Sequence, residues 1–331
     1  MGQRMSDPIS SPRIVVTGRI PEAGLEILRA INGAEVWAWD DDSMIPTEIR
    51  NEQLATADIA VTLLTDRVDA AFLDAAPNLK MVANVAVGYN NVDVAACAAR
   101  GVVVSNTPGV LTDATADLAI GLLLMITRRL GEGERLIRSE EPWQWGMHMM
   151  LGTGLQGRTL GIVGMGGIGV AMARRARSFG MQIIYNNRKS VDAAIESELN
   201  ATLVSLDQLL AQSDVVSLNC PYSDATHHLM NAETLAQMQP TAFLINTARG
   251  PIVDEAALVA ALQSGAIAGA GLDVFENEPA VHSGLLKCDN AVLVPHLGSA
   301  TVETRGAMAA TAASNVSDMV AGSSPRNPVT P

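Results

Sequence analysis

The sequence predicts two α/β units, each a doubly wound parallel sheet. Three observations carry that prediction. Short runs rich in Val, Ile and Leu alternate with amphipathic stretches along both halves of the chain. A glycine-rich turn at 159–169 joins one such run to one such stretch. Finally, 48% of the 331 residues are hydrophobic but only 3% are aromatic, so small aliphatic side chains fill the interior, as suits helices packed on a parallel sheet.

In chain order, residues 1–12 read as a polar tail without the apolar stretch of a signal peptide. Strands are expected over 13–17, 34–39, 59–64, 81–85 and 102–105, with helices over 21–31, 46–55, 69–75 and 94–100 between them. A long helix follows over 113–129, capped by Thr112 or Asp113. Its apolar residues cover almost the whole circumference, which implies burial between domains or subunits. The segment 141–157 reads as irregular, and its exposed apolar bulk, Trp143 and Trp145 with several methionines, implies that it covers something. The second unit is expected as six strands, over 160–163, 182–185, 215–218, 242–246, 269–273 and 291–294. Helices over 170–179, 206–211, 232–237 and 255–265 connect them. A final helix over 301–320 is assigned to the first domain, because the second sheet is already complete.

The net charge of −13 argues against a nucleic-acid or anionic-membrane surface. The longest apolar run, 118–126, is too short to span a bilayer. Cys97, Cys220 and Cys288 are widely and irregularly spaced, which fits neither a zinc site nor a disulfide framework. A soluble, cytoplasmic protein without a metal is the expectation.

Gly164, Gly166 and Gly169 fit G-x-G-x-x-G, with a strand before and a helix after. That context makes a dinucleotide cradle from Gly164, Gly166, Gly167, Ile168 and Gly169. The turn is tight, its backbone is bare enough for a pyrophosphate to approach, and a helix N-terminus points at it. The first half has no such pattern, so it is assigned a different task.

Ligands of open α/β sheets sit beyond the carboxyl ends of the strands. Three ionisable residues follow such ends in the second unit. Arg249 follows FLINTA, Glu278 follows GLDVFEN with Asp273 nearer the strand, and His296 follows VLVP. Singly, each has an ordinary alternative as a surface ion pair, a solvated carboxylate or a cap. Together they match hydride transfer to a 2-oxo acid. An arginine suits the substrate carboxylate and carbonyl through its fork of donors. A histidine suits protonation of the carbonyl oxygen, and a carboxylate on its other nitrogen fixes the tautomer. His148, His227, His228 and His282 read as structural or exposed.

A nucleotide site that prefers NAD places an acid roughly twenty residues beyond the glycines. Here Asn186 and Asn187 occupy that place, and Arg188 and Lys189 follow. The expectation is NADP(H) preference, with Arg188 binding the 2′-phosphate and NAD(H) use still possible.

The chain resembles the D-isomer-specific 2-hydroxyacid dehydrogenases, and within them the glyoxylate/hydroxypyruvate reductases. The resemblance rests on NVAVGYNNVDV from Asn84, NTPGVLTDATADLA from Asn106, LGIVGMGGIG from Leu160, LINTARGPIVDE from Leu244, GAGLDVFENEP from Gly269 and VPHLGSAT from Val294. It implies a Rossmann cofactor domain, 107–296, inserted in a smaller flavodoxin-like substrate domain, 1–106 with 297–331. It implies that Arg249, Glu278 and His296 are catalytic and that the amides of Val87 and Gly88 bind the substrate carboxylate. It also implies that Thr112 and Asp273 approach the nicotinamide, that Thr247, Ala248 and Gly298 line the cofactor, and that Cys220 and Pro221 lie near the adenosine. A homodimer is implied too, with Trp145 as the candidate to reach the substrate site of a second copy; packing at the dimer interface is the alternative for it. Competing readings are 2-ketogluconate reduction, D-3-phosphoglycerate dehydrogenase and a non-catalytic NAD(P)-sensing protein. The phosphoglycerate reading ranks lower because the sequence ends soon after its last helix.

Overall fold

The computed structural model describes residues 9–331. The tail expected over 1–12 lies partly outside them, at 1–8. Its described end is docked: the Ile9 amide donates to the Val320 carbonyl at 3.2 Å and the Glu35 amide to the Pro12 carbonyl at 2.9 Å. The chain forms two compact units, one running up to Leu111 and resuming at Ala300–Pro331, the other Thr112–Ser299. The sequence puts these divisions at 106/107 and 296/297. The short extensions follow local bonds: the Thr107 amide donates to the Ala86 carbonyl at 2.9 Å, and the Gly298 amide to Asp273 Oδ2 at 2.9 Å.

In the first unit, strands β1 (Arg13–Val16), β2 (Glu35–Ala38), β3 (Ile59–Thr62), β4 (Met81–Asn84) and β5 (Val103–Ser105) are parallel and ordered β5-β4-β3-β1-β2. That is the flavodoxin-like order. Helices α1 (Glu22–Arg29), α2 (Thr47–Leu54), α3 (Ala70–Ala75) and α4 (Val94–Ala99) connect them. Alternate strand residues explain the two faces. Val15, Ala60, Val82 and Val104 are buried with Leu54, Phe72, Leu73 and Cys97 of α2–α4. The opposite face carries the last helix of the chain, Val302–Val320, which packs against α1, β3 and β4. A Cβ on Gly24 would stand 2.8 Å from the Ala309 Cβ, so glycine permits that close helix pair.

In the second unit, helices α5 (Thr112–Thr127) and α6 (Leu130–Arg138) precede seven parallel strands. These are β6 (Thr159–Val163), β7 (Gln182–Asn186), β8 (Ala201–Leu203), β9 (Val215–Leu218), β10 (Phe243–Asn246), β11 (Gly269–Leu272) and β12 (Ala291–Leu293). Their order, β12-β11-β10-β9-β6-β7-β8, is the Rossmann order with a seventh strand added at one edge. The connecting helices are α7 (Gly167–Ser178), α8 (Ala193–Leu199), α9 (Leu206–Gln212), α10 (Ala232–Ala236) and α11 (Glu255–Ser264). The helix Val302–Val320 is thus α12, and a two-residue strand β13 (Pro328–Val329) pairs antiparallel with β5.

Period-two alternation again sorts the side chains. Val215, Phe243 and Ile245 join the core under α5 and α7, whereas Val216 and Leu244 join the core under α9–α11. The nearly uniform apolarity of α5 reflects its place over the sheet, packed against α7, β10, β11 and β12.

Besides β13, which the sequence does not predict, four elements of the second unit depart from the sequence expectation. The second sheet has seven strands rather than six, because three-residue β8 is too short to show a pattern. Helix α8, capped by Asp192 through the Ala194 amide, has only Leu199 buried and so little amphipathic signal. Helix α6 carries two glycines, which mask it. Helix α7 begins at Gly167 rather than 170, because the turn geometry, not residue propensity, starts it. Among the described residues no helix is long and apolar enough to cross a membrane.

Leu123 is fully buried in the core between α5 and the sheet. Leu123→Ala should cost about 2–5 kcal/mol of stability, read as a lowered Tm by calorimetry.

Candidate active site

The glycine turn between β6 and α7 divides its labour. Gly164 has φ +91°, and a Cβ there would lie 2.5 Å from the Cys220 amide nitrogen, so only glycine makes this turn beside β9. Around a Cβ built on Gly166 nothing lies within 4 Å. Gly169 packs so tightly that a Cβ would meet the Gly164 carbonyl oxygen at 2.6 Å. A tight turn, an open approach and a close helix–strand contact are the three features a pyrophosphate cradle needs. Gly167 and Ile168 open α7, whose N-terminus supplies amide donors, and the Thr112 hydroxyl stands 3.7 Å from a Cβ built on Gly167.

Two side chains at neighbouring strand ends support a bound polar group. Thr247 Oγ1 after β10 and Asn219 Oδ1 after β9 are buried without a hydrogen-bond partner among the described residues. Such orphans are costly unless a ligand satisfies them. Cys220 and Pro221 follow β9, and burial pushes the Cys220 thiol up to about 11. Ala248 is fixed by its amide, which donates to Asn246 Oδ1 at 3.0 Å.

At the end of β7, Asn187 braces the glycine turn: its Oδ1 accepts the Met165 amide at 2.7 Å. Asn186 Nδ2 donates to the Val204 carbonyl at 2.9 Å. Arg188 and Lys189 beyond them are exposed, and neither forms an ion pair among the described residues.

The three ionisable groups come together beyond β10, β11 and β12. His296 Nδ1 lies 2.7 Å from Glu278 Oε2. Glu278 Oε1 accepts the Phe275 amide at 3.0 Å, so both carboxylate oxygens are engaged. Burial would raise the Glu278 carboxyl. The His296 hydrogen bond, the Phe275 amide and the charges of His296 and Arg249 outweigh it and leave the pKa below the ordinary glutamate value. Arg249 follows β10, and its Nη1 donates to the Ala248 carbonyl at 2.7 Å. Burial lowers the guanidinium pKa against the opposing charge of Glu278.

Asp273 shapes the histidine turn. Its Oδ1 accepts the Leu297 amide, its Oδ2 accepts the Gly298 amide at 2.9 Å, and its carbonyl accepts the His296 amide at 2.8 Å. His296 itself has φ +52°, a left-handed conformation that costs a non-glycine residue about 1–2 kcal/mol. Burial pushes the Asp273 carboxyl up, against the two amides and the His296 charge that favour its ionised form. The Gly298 carbonyl in turn accepts the Thr115 hydroxyl at 3.1 Å.

In the other unit, Val87 and Gly88 follow β4. Their carbonyls accept the side-chain amides of Asn106 at 2.8 Å and Asn84 at 3.1 Å. Their own amides donate to no acceptor among the described residues. Trp145 lies in the irregular stretch after α6, 72% exposed, beside exposed Trp143 and Met147.

Residues 120–298 match the model of the D-isomer specific 2-hydroxyacid dehydrogenase NAD binding domain. The chain belongs to the D-isomer-specific 2-hydroxyacid dehydrogenases. Its activity is therefore that of a dehydrogenase using a nicotinamide cofactor. Over 310 residues it is 49% identical to a protein of Thermococcus onnurineus named glyoxylate reductase, covering 92% of each chain. Among solved structures, a Thermus thermophilus protein superposes with a TM-score of 0.89 at 41% identity, covering 96% of this chain and 100% of the other. An NADPH-dependent glyoxylate/hydroxypyruvate reductase of Sinorhizobium meliloti, in complex with NADP and malonate, superposes with a TM-score of 0.82 at 38% identity, covering 97% of both.

Two features of the dehydrogenase escape a reading of the sequence. Gly250 abuts the Phe275 carbonyl so closely that a Cβ would stand 1.8 Å from its oxygen. His228 Nε2 lies 2.7 Å from Glu276 Oε1. The spacing of Glu276 and Glu278 in FENEP shows two acids but not which histidine each meets, because the partners lie 48 and 18 residues away.

The glycines are separable by substitution. Gly166→Ala should leave Tm unchanged and weaken dinucleotide binding by about tenfold or more, because only the approach path is filled. Gly169→Ala should lower Tm with or without dinucleotide. Thermal melts with and without dinucleotide, together with titration, distinguish the two.

Proposed function

We propose that this dehydrogenase reduces short 2-oxo acids, glyoxylate and hydroxypyruvate foremost, to the 2-hydroxy acids, with NADPH preferred over NADH. The observation that carries the proposal is the His296–Glu278 pair, 2.7 Å apart, with half-buried Arg249 near enough for its charge to act on Glu278. The names of the Thermococcus and Sinorhizobium relatives support the substrate class.

The cradle of Gly164, Gly166, Gly167, Ile168 and Gly169 would hold the pyrophosphate, with Thr112, Thr247, Ala248, Asp273, Gly298, Cys220 and Pro221 lining the rest. When bound, the cofactor supplies the hydride. Arg249 binds the carboxylate and carbonyl of the substrate through its planar fork of donors. His296 donates a proton from Nε2 to the carbonyl oxygen. Glu278 accepts from Nδ1, which fixes the ring orientation and stabilises the imidazolium before transfer. The amides of Val87 and Gly88, which donate to no acceptor among the described residues, are suited to a carboxylate. Asn186, Asn187 and Arg188 place no acid where a 2′-phosphate would sit, and the exposed Arg188 supplies a donor for it. A homodimer belongs to this reading, with the exposed Trp143, Trp145 and Met147 available to a second copy.

His296→Ala should lower kcat for glyoxylate reduction by about 10²–10⁴-fold. Arg249→Ala should lower kcat and raise KM together. Near wild-type turnover in His296→Ala would overturn the assignment of the proton donor. Arg188→Ala should cut kcat/KM with NADPH by about tenfold or more while changing that with NADH little. A wild-type preference for NADH would overturn the cofactor assignment.

A further inference from the structure

His228 stands between the two turns that carry Arg249 and Glu278. Its backbone amide donates to the Pro251 carbonyl at 2.9 Å, two residues from Arg249. The next pairing continues the same seam, with the Met230 amide donating to the Ile252 carbonyl at 3.0 Å. The imidazole faces the other turn, its Nε2 2.7 Å from Glu276 Oε1. Glu276 is itself locked. Its amide donates to Glu255 Oε1 at 2.8 Å, and its Oε2 accepts the Glu255 amide at 3.4 Å. The residue before Glu276, Phe275, supplies the amide N–H that holds Glu278 Oε1, and its carbonyl is the one against which Gly250 packs.

The side chain is also held from behind. The His227 ring stacks on the His228 ring at 4.0 Å and 20°, and the Tyr222 hydroxyl lies 3.3 Å from His227 Nδ1. His228 adopts φ +48°, so the chain accepts a strained backbone to bring the imidazole to Glu276.

We infer that His228, through Glu276, is a positioning residue that sets the spacing between Arg249 and Glu278, and so the placement of the His296 imidazole. The inference rests on the catalytic roles proposed above for those three residues. His228 touches none of the reacting atoms. It acts by tying the Gly250–Ile252 turn, through its backbone, to the Phe275–Glu278 turn, through its side chain. Displacement of a catalytic group by about 1 Å can cost 10²-fold in rate.

The test is a double-mutant cycle on the full-length enzyme with glyoxylate and NADPH, with dinucleotide affinity measured on each variant. His228→Leu and Glu276→Ala should each lower kcat by about tenfold or more, and the double variant should be no worse than the weaker single. His228→Gln, which retains an N–H donor for Glu276, should recover most of the lost kcat. Dinucleotide Kd should stay within about twofold throughout, because the pyrophosphate cradle lies between β6 and α7 and the bonds of His228 go to Pro251, Glu276 and Asn231, none of them assigned to the cofactor. Losses that multiply in the double variant would overturn the inference. So would unchanged kcat in either single variant, no recovery in His228→Gln, or a parallel loss of dinucleotide binding. His296→Ala runs alongside as the control for the parent reading. If it retains turnover, the proton-donor role fails and this inference with it. If it is inactive and the cycle is multiplicative, only the His228 assignment fails.

Discussion

A buried carboxylate at the end of β11 governs where the imidazole sits. Asp273 gathers the amides of Leu297 and Gly298 on its two oxygens, and its carbonyl takes the amide of His296. These bonds offset the cost of the left-handed conformation at His296, which then turns Nδ1 toward Glu278. Three short strand ends are thereby combined into one constellation. β11 contributes Asp273 and the turn to Glu278, β12 leads into His296, and β10 leads into Arg249. The parallel register of these strands supplies the adjacency, and the hydrogen bonds of Asp273 supply the orientation.

The guanidinium and the carboxylate are related by a different device. Gly250 lies against the backbone of Phe275, and its lack of a side chain permits the two turns to approach this closely. Glu278 then has an amide on one oxygen and the imidazole on the other. Its lowered pKa follows from those contacts and from Arg249, since burial alone works in the opposite direction. The nearby Asp273 carboxyl shifts upward, because for it burial dominates. Two acids within one turn therefore diverge by environment alone.

Much of this was legible in the sequence, and the reasons are local. Runs such as RIVV, TLGIV and FLIN bury alternate side chains on two covered faces, so hydrophobicity alone marks them. Arg249, Glu278 and His296 stood out because each follows a strand end. Gly164, Gly166 and Gly169 stood out because their spacing matches three distinct steric demands. Edge elements were less visible. β8 has three residues, with Thr202 and Leu203 exposed, and α8 buries one side chain. Pairings between distant turns were not visible at all. Nothing in the residues around His228 announces Glu276, since their meeting depends on how the loop after β9 lies beside the loop after β11.

The contact between Gly164 and Cys220 also bears on the chemistry of sulfur at the nucleotide cradle. Burial pushes that thiol up to about 11, which favours its protonated form at neutral pH. Cys97 and Cys288 are shifted in the same direction. Peroxides and alkylating electrophiles attack thiolates, so they find little to react with beside the glycine turn.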